Sequence, residues 1–227
     1  MKHLLSLSLL VCIMIFPACK SAQVTTTQVV QPPQITLPSH IKTIAIVDRT
    51  LIDKKNKIKN TIEGWSSGER AGQDRLAEQE VLAGLNTVLQ TSPTIKVKLT
   101  TVQLVGSGRG FVFPDPLDSA QVIKICNQYS ADALAVLETF DSDCAGRTGI
   151  IKMGFRIYDR QNNSIADQYF YTYRTKWKRS HSMNQSAMKT RFSESAAINQ
   201  AAYDAGVNYG RRIAATVNTV VQKPGRK

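Results

Sequence analysis

Four carboxylates invite a chemical reading first. Asp48 closes a short β-branched run, and Glu138, Asp141 and Asp143 crowd the end of a later apolar run. Carboxylates gathered at the carboxyl edge of an open α/β sheet stand where such sheets hold ligands, and a pair of them supplies a general acid and base or hard oxygen ligands for Ca²⁺. No EF-hand-like register surrounds these four, so they also read as a solvated loop with Asp141 capping a turn. A glycine-rich run, Gly106-Ser107-Gly108-Arg109-Gly110, has the composition of a phosphate cradle. It lacks the Lys-Ser/Thr of a P-loop and the spacing of a dinucleotide fingerprint, so it reads as a flexible connection. A third patch is basic: between Gln168 and Ser193 stand Arg174, Lys176, Lys178, Arg179, Lys189 and Arg191 with no acid, and Tyr171, Tyr173 and Trp177 are interleaved. Cations beside aromatic rings suit an anionic polymer, so Arg174, Lys176, Trp177, Lys178 and Arg179 form a candidate binding patch whose bland reading is a solvated strand end.

Nucleophilic and metal chemistry find little purchase. There is no nucleophile elbow, zincin motif or Ser-His-Asp order, and beyond His3 the chain has only His40 and His181. The motifs therefore nominate no catalytic residue, no metal and no cofactor. Of the four cysteines, Cys126 and Cys144 fall in the body of the chain, where an exported protein can oxidise them to a disulfide. Cys126 shares a helical face with Val122 and Ile123, which favours a buried thiol acting as a small hydrophobe.

The other two cysteines lie at the start. Met1-Lys2-His3 is a short positive segment, and Leu4 to Phe16 is an apolar run too short to span a bilayer but of the size of an export signal. It ends in Phe16-Pro17-Ala18-Cys19, which resembles the lipobox of bacterial lipoproteins, with Phe16 and Pro17 departing from its usual Leu and small residue. The resemblance implies cleavage before Cys19 and acylation of its thiol, and several acyl chains on one residue exceed the two-signal requirement for stable anchoring. Lys20 to Ser39, with Thr25-Thr26-Thr27, Pro32-Pro33 and Pro38, reads as an extended tether. No acid occurs between Cys19 and Asp48, so neither an inner-membrane retention signal nor an acidic surface-export run is present. The expected location is the periplasmic face of the outer membrane.

The 227 residues are 42% hydrophobic and 20% charged, enough apolar content for one folded domain. The formal charge is +12, or +11 once residues 1–18 with their single Lys are set aside. In the cytosol that excess would suggest nucleic acid; export argues against such a partner and for envelope proteins, anionic glycans or lipid headgroups.

The elements that must position these residues follow from periodicity. Lys42–Asp48, Ile95–Val105, Ala131–Phe140, Gly149–Tyr158 and Ile165–Trp177 read as strands, the last two as a hairpin. Helices are expected over Gly68–Thr91, with Leu76, Leu82, Leu85 and Leu89 inward and Glu78 outward, and from Asp118 to about Ser130. A last helix is capped by Ser193 and carries a stripe from Ile198 through Tyr209 to Val217 and Val220, with Gly206 and Gly210 allowing close approach to a sheet. The result is a β-α-β-α-β-β-β-α mixed α/β (α+β) fold. Its expected organisation is a signal peptide over 1–18, a flexible tether over 19–41, a globular domain over 42–222 and a basic tail over 223–227.

Ile62-Glu63-Gly64, Gly68-Glu69, Gly72-Gln73-Asp74-Arg75, Phe113-Pro114-Asp115-Pro116-Leu117-Asp118, Ala131-Asp132-Ala133-Leu134 and Leu137 to Asp143 together resemble the DUF6340 family of Bacteroidetes lipoproteins over about residues 40–180. That resemblance brings no activity with it. The strand order also looks like the sheet domains of curli-secretion and penicillin-binding-protein-activator lipoproteins, an analogy of fold alone. The functional expectation is a lipid-anchored, non-enzymatic binding or scaffold module of the envelope. The alternative is an envelope hydrolase using Asp48, Glu138, Asp141 or Asp143.

Overall fold

Parallel pairing begins with the β-branched run after the N-terminal segment. In the computed structural model, which describes residues 25–51, 73–106, 112–178 and 193–222, strand β2 (Thr43–Leu51) sits between β3 (Lys96–Val105) and β4 (Ala133–Ala145), parallel to both. The order β3-β2-β4-β5-β6 is completed antiparallel by β5 (Thr148–Asp159) and β6 (Ser164–Lys176). The mixed α/β sheet of five strands expected from the sequence is the one observed. Central β2 and β4 are apolar on both faces, with Ile44 to Val47 and Ala133 to Leu137 all buried, because helices cover both sides of them.

One face of the sheet carries α1 (Gln73–Gln90) and α3 (Glu194–Ile213), which enclose the larger core of Ile44, Ile46, Leu85, Phe155, Ile157 and Tyr209. Tyr209 stacks on Phe155 with centroids 4.2 Å apart. The hairpin stripe Ile151, Met153, Phe155 and Ile157 is fully buried here, as its alternation requires. The opposite face carries α2 (Ser119–Tyr129), N-capped by Asp118, whose carboxylate accepts the Gln121 amide at 2.7 Å. Behind α2 lies a smaller core of Ala45, Val47, Val122, Cys126, Leu134 and Val136.

Several expectations need correction. Helix α1 is rotated from the leucine stripe: Ala77, Val81, Leu85, Val88 and Leu89 are buried, Leu76 is exposed, and Glu78 points inward. The cause is its crossing with α3. A Cβ at Gly84 would lie 2.1 Å from the Tyr203 carbonyl oxygen, and one at Gly206 2.0 Å from that of Val81. The two helices meet backbone to backbone, so Gly206 and Gly210 serve α1 rather than the sheet; where α3 touches the sheet the glycine is Gly149, beneath Ala197. Helix α3 also stops at Ile213. Ala214 is extended, and the β-branched run that follows forms β7 (Thr216–Gln222).

The supposed tether is structured in part. Thr25–Gln31 is a strand, β1, and pairs with β7 in a separate two-stranded sheet. Residues Val30–Val217 form one unit, and the flanking outer parts of β1 and β7 fall in a second. Within the main unit, the Gln34 and Ile35 amides both donate to the Arg212 carbonyl, and Ile35 and Leu37 pack against the larger core. The packed chain thus begins before Ile41.

Candidate functional site

The four candidate carboxylates do not converge. Strand β4 runs on through Ala145, so Glu138, Asp141 and Asp143 lie within a strand and not in a loop after it. Glu138 keeps step with Leu134 and Val136 on the α2 side of the sheet, and a register shift between Leu137 and Thr139 marks a bulge that turns the later Asp141 and Asp143 to that side as well. Asp48, paired with Leu137 across the parallel ladder, faces the α1 side. Two carboxylates that are neighbours in register are therefore separated by the thickness of the sheet.

Glu138 is fully buried and is met by three donors. Tyr158 Oη donates to its Oε1 at 2.5 Å, Arg49 Nη1 to its Oε2 at 3.0 Å, and Arg156 Nη1 lies 3.7 Å from Oε1. Each partner also holds the backbone of the loop before α2. Arg49 donates to the Asp115 carbonyl at 2.8 Å, Arg156 to that of Pro114 at 2.7 Å, and the Tyr158 oxygen accepts the Leu117 amide at 3.1 Å. Phe113 lies over this assembly, with the Arg156 guanidinium 4.5 Å from its ring centre. Burial raises the Glu138 carboxyl above its usual range, against the pull of the Tyr158 hydroxyl and the two guanidinium groups. The arrangement is a clamp on residues 114–117: a carboxylate that pairs with two arginines and orients a phenol so that all three grip one loop.

On the α1 side the proportions reverse. One nitrogen, Arg75 Nη1, serves both Asp48 Oδ2 at 2.7 Å and Glu78 Oε2 at 3.0 Å. Asp48 Oδ1 also accepts from the Thr50 amide at 3.0 Å and its hydroxyl at 2.6 Å. Burial first, then the neighbouring Asp48 charge, raises Glu78 to about 7, despite donation from Thr50 and Arg75.

The remaining two acids are surface groups. Asp141 accepts from Lys152 Nζ at 3.0 Å, each about one-quarter exposed, and Asp143 accepts the Cys144 amide at 2.7 Å. Among the described residues, no group of three or more His, Cys, Asp and Glu is placed to hold a metal ion. Cys126 and Cys144 are both free thiols; Cys126 is buried, and burial lifts its thiol to about 11.

The basic patch divides as well. Arg174 and Lys176 point to the α2 side of edge strand β6 and are exposed. Trp177 turns inward, only 9% exposed, with the Arg147 guanidinium 4.9 Å from its ring centre. Tyr169, Tyr171 and Tyr173 pack against the larger core, so the aromatics do not share the cations' face. The Lys178 amide donates to Gln200 on α3, which draws it to the other side. Arg179, Cys19 and the loop 107–111 lie outside the described residues, as do the export signal and the basic tail. Gly106 itself is fixed by its neighbours: its amide donates to Leu51, and a Cβ there would lie 1.9 Å from the Arg49 carbonyl oxygen.

Arg49, Arg156 and Tyr158 are not singled out in the sequence, and Arg75 and Glu78 enter there only as part of a motif and as an outward helix position. The available signal was weak but present: Arg156 and Tyr158 are polar insertions on the off-stripe side of a strand whose other face is wholly apolar. His40 was assigned to the tether; instead its Nε2 lies 2.8 and 2.9 Å from the two carboxylate oxygens of Asp159. Burial alone would raise Asp159, but His40 and the Asn162 and Gln161 amides hold it below its usual range. A groove of about 270 Å³ opens beside this pair, walled by Pro116, Leu117, Val122, Tyr158 and Ile165. Three of these walls, Pro116, Leu117 and Tyr158, belong to the Glu138 clamp and the loop it holds. No helix among the described residues is long and apolar enough to cross a membrane.

No curated protein matches the sequence. Among solved structures, the chain is similar to PelC from Paraburkholderia phytofirmans, in a dodecamer, at 12% identity over 85% of this chain and 99% of that one, with a TM-score of 0.37. It is also similar to the hypothetical protein CT253 from Chlamydia trachomatis, at 9% identity over 59% of this chain and 71% of that one, with a TM-score of 0.30. The resemblance to DUF6340 is not sustained, because residues 41–221 match a different family, the domain of unknown function DUF8603, and the chain belongs to that family.

Proposed function

We propose that this chain is a lipid-anchored, non-enzymatic scaffold or binding module of the bacterial cell envelope, held through Cys19 at the periplasmic face of the outer membrane and acting through contacts with other envelope proteins. The observation that carries the non-enzymatic reading is the commitment of three of the four candidate carboxylates to structural partners of their own. Asp48 is bound to Arg75 and Thr50, Glu138 to Arg49 and Tyr158, and Asp141 to Lys152, on two faces of the sheet. An acid and base pair needs both groups within reach of one substrate bond; Asp48 is divided from the other three by the β-layer, and on the α2 side Glu138 is buried within its clamp, apart from the surface groups Asp141 and Asp143. The inward turn of Trp177 takes its ring away from sugar stacking, which favours a protein partner over a glycan.

The anchor rests on the apolar run Leu4 to Phe16 ending at Ala18-Cys19. Mass spectrometry of the processed chain is expected to find acyl chains on residue 19, and Cys19→Ser is expected to leave the membrane fraction. An unacylated N-terminus, or a serine variant that stays with the membrane, would overturn the anchor. For the catalytic alternative, Asp141→Asn with Asp143→Asn alters only surface groups and is expected to complement any envelope defect that deletion causes. Failure of that folded variant to complement, with its self-association unchanged from the parent, would reinstate the hydrolase.

A further inference from the structure

Among the described residues, elements cover only half the length of the α2 side of the sheet. Helix α2 shields the end at Leu134, Val136 and Tyr158, and Phe113 sits over Gly154, where a Cβ would lie 2.9 Å from its ring. Beyond Phe113 three rows run across β4, β5 and β6 with no element above them among the described residues: Asp141, Lys152, Thr172; then Asp143, Ile150, Arg174; then Ala145, Thr148, Lys176. Read along the strands, the same face has an acidic column on β4, a middle column on β5 and a basic column on edge strand β6. Arg174 and Lys176 have no ion-pair partner among the described residues, and Asp143 accepts nothing there but the Cys144 amide.

We propose that this face is an isologous contact between two copies of the chain. A two-fold axis running along β5, between two stacked sheets, exchanges left and right without shifting the rows. It lays the β6 column of each copy over the β4 column of the other, so that Arg174 meets the partner copy's Asp143 twice, and Ile150 meets its own equivalent on the axis. A two-fold axis across the strands would instead set β6 over β6 and cation over cation. Charge therefore selects one orientation. It also favours a second copy over an extended polyanion, which would have to lie across Asp141 and Asp143 to fill the face.

A chain of formal charge +12 repels itself, so self-contact requires a surface close to charge balance, and this one sets Asp141 and Asp143 against Lys152, Arg174 and Lys176, within a single charge of it. Strands about 4.8 Å apart and rows about 7 Å apart give the bare face roughly 300 Å² per copy. A stable dimer buries about 800 Å² per partner. The contact is therefore weak, steered by charge and sensitive to salt, and it concentrates at high protein density. It does not depend on the anchor.

The test is a charge exchange read by analytical ultracentrifugation of the full chain with Cys19→Ser, at low ionic strength, from micromolar to near-millimolar concentration. The parent is expected to self-associate reversibly and to dissociate on adding salt. Arg174→Glu and Asp143→Arg are each expected to weaken association by about tenfold or more, and the two together to restore it. Lys178→Glu, on the α3 side, serves as a control and is expected to leave association unchanged. Ile150→Cys is expected to form a disulfide-linked dimer on mild oxidation, and to lose it when combined with Arg174→Glu. A parent that stays monomeric throughout, single reversals without effect, or a double variant that fails to recover would each overturn the contact. Asp143→Arg that gains affinity for inorganic polyphosphate while the parent stays monomeric would assign the face to a polyanion instead.

Discussion

Two buried ionic clusters flank the same pair of parallel strands, and they are built in opposite proportions. On the α2 side one carboxylate, Glu138, faces two guanidinium groups and a phenol. On the α1 side two carboxylates, Asp48 and Glu78, share a single guanidinium nitrogen. Surplus donors can be spent elsewhere, and those of the first cluster reach out to the 114–117 backbone. Thr50 is the further donor to the surplus acceptors and brings no charge, so the second cluster holds excess negative charge, and burial first, then the Asp48 charge, makes Glu78 retain its proton to about pH 7. The first is thus a positioning device, and the second a site where the fold tolerates a poorly matched charge.

Removing the centre of the donor-rich cluster should have the largest consequence. Glu138→Ala leaves Arg49 and Arg156 largely buried without their counter-charge, which costs about 3–5 kcal/mol. Urea unfolding is expected to show that loss in the midpoint, with early amide exchange at Leu117 as the loop is released. A loss below about 1 kcal/mol would mean that the two arginines find other partners and that the carboxylate is not the centre.

The acceptor-rich cluster predicts a change of opposite sign. The folded state binds the Glu78 proton more tightly than the unfolded chain, whose carboxyl has the ordinary value of 4.5, so this group's contribution to stability falls as pH rises from there through about 7. Above that window the penalty is on the order of 2–3 kcal/mol. Glu78→Gln keeps the shape and removes the charge, so it is expected to be more stable than the parent at pH 8 and nearly equal to it near pH 4.5. Paired urea titrations at the two pH values decide it, and a variant weaker than the parent at pH 8 would show that Arg75 needs both acids.

How far these clusters were legible depends on which physical rule placed each residue. The five sheet strands and the β5–β6 hairpin followed from β-branched runs and from the alternation of Ile151, Met153, Phe155 and Ile157, all local patterns; the order of the strands in the sheet did not. Asp48 and Glu138 stand near each other across the β2–β4 ladder, but inside their strands and on the opposite faces that alternation from Ile46 and Val136 dictates; the bulge at residue 138 then moves Asp141 and Asp143 to the α2 side, and a one-residue shift leaves no mark on composition. Glu78 was expected outward because a carboxylate inside a helix–sheet interface is unfavourable; only the distant Arg75–Asp48 pair and the glycine-mediated crossing of α1 with α3 turn it inward. The end of α3 was lost to aliasing. Val217 and Val220 continue a helical spacing from Ile213, yet Thr216 and Val217 open a β-branched strand, and the extended Ala214 marks the change. The basic patch failed on parity: Arg174 and Lys176 alternate with the tyrosines, so one strand sends its cations and its aromatics to opposite sides.

A smaller change probes the reach of the clamp without removing its charge. Tyr158→Phe takes one donor from Glu138 and leaves the Leu117 amide without its acceptor, at a cost of about 1–2 kcal/mol. The Arg49 and Arg156 pairs survive, so the expected signature is faster exchange confined to the loop, with most of the stability retained. Exchange spread over β4 and β5 instead would make the phenol part of the core rather than the link to the loop.

The smallest effect separates burial from mere pairing. Asp141 and Lys152 are 3.0 Å apart, as close as Arg49 is to Glu138, but both remain about one-quarter exposed on the bare half of the same sheet. Water already solvates each ion there, so losing the partner strands neither, and Asp141→Asn is expected to cost under about 1 kcal/mol and to lose even that in high salt. A cost near that of Glu138→Ala would mean that the bare face is dry in solution, as it becomes when a second copy lies against it. For that reason the variant should be measured at both low and high protein concentration: an Asp141→Asn penalty that grows with concentration reports the contact, whereas a constant one reports the strand alone.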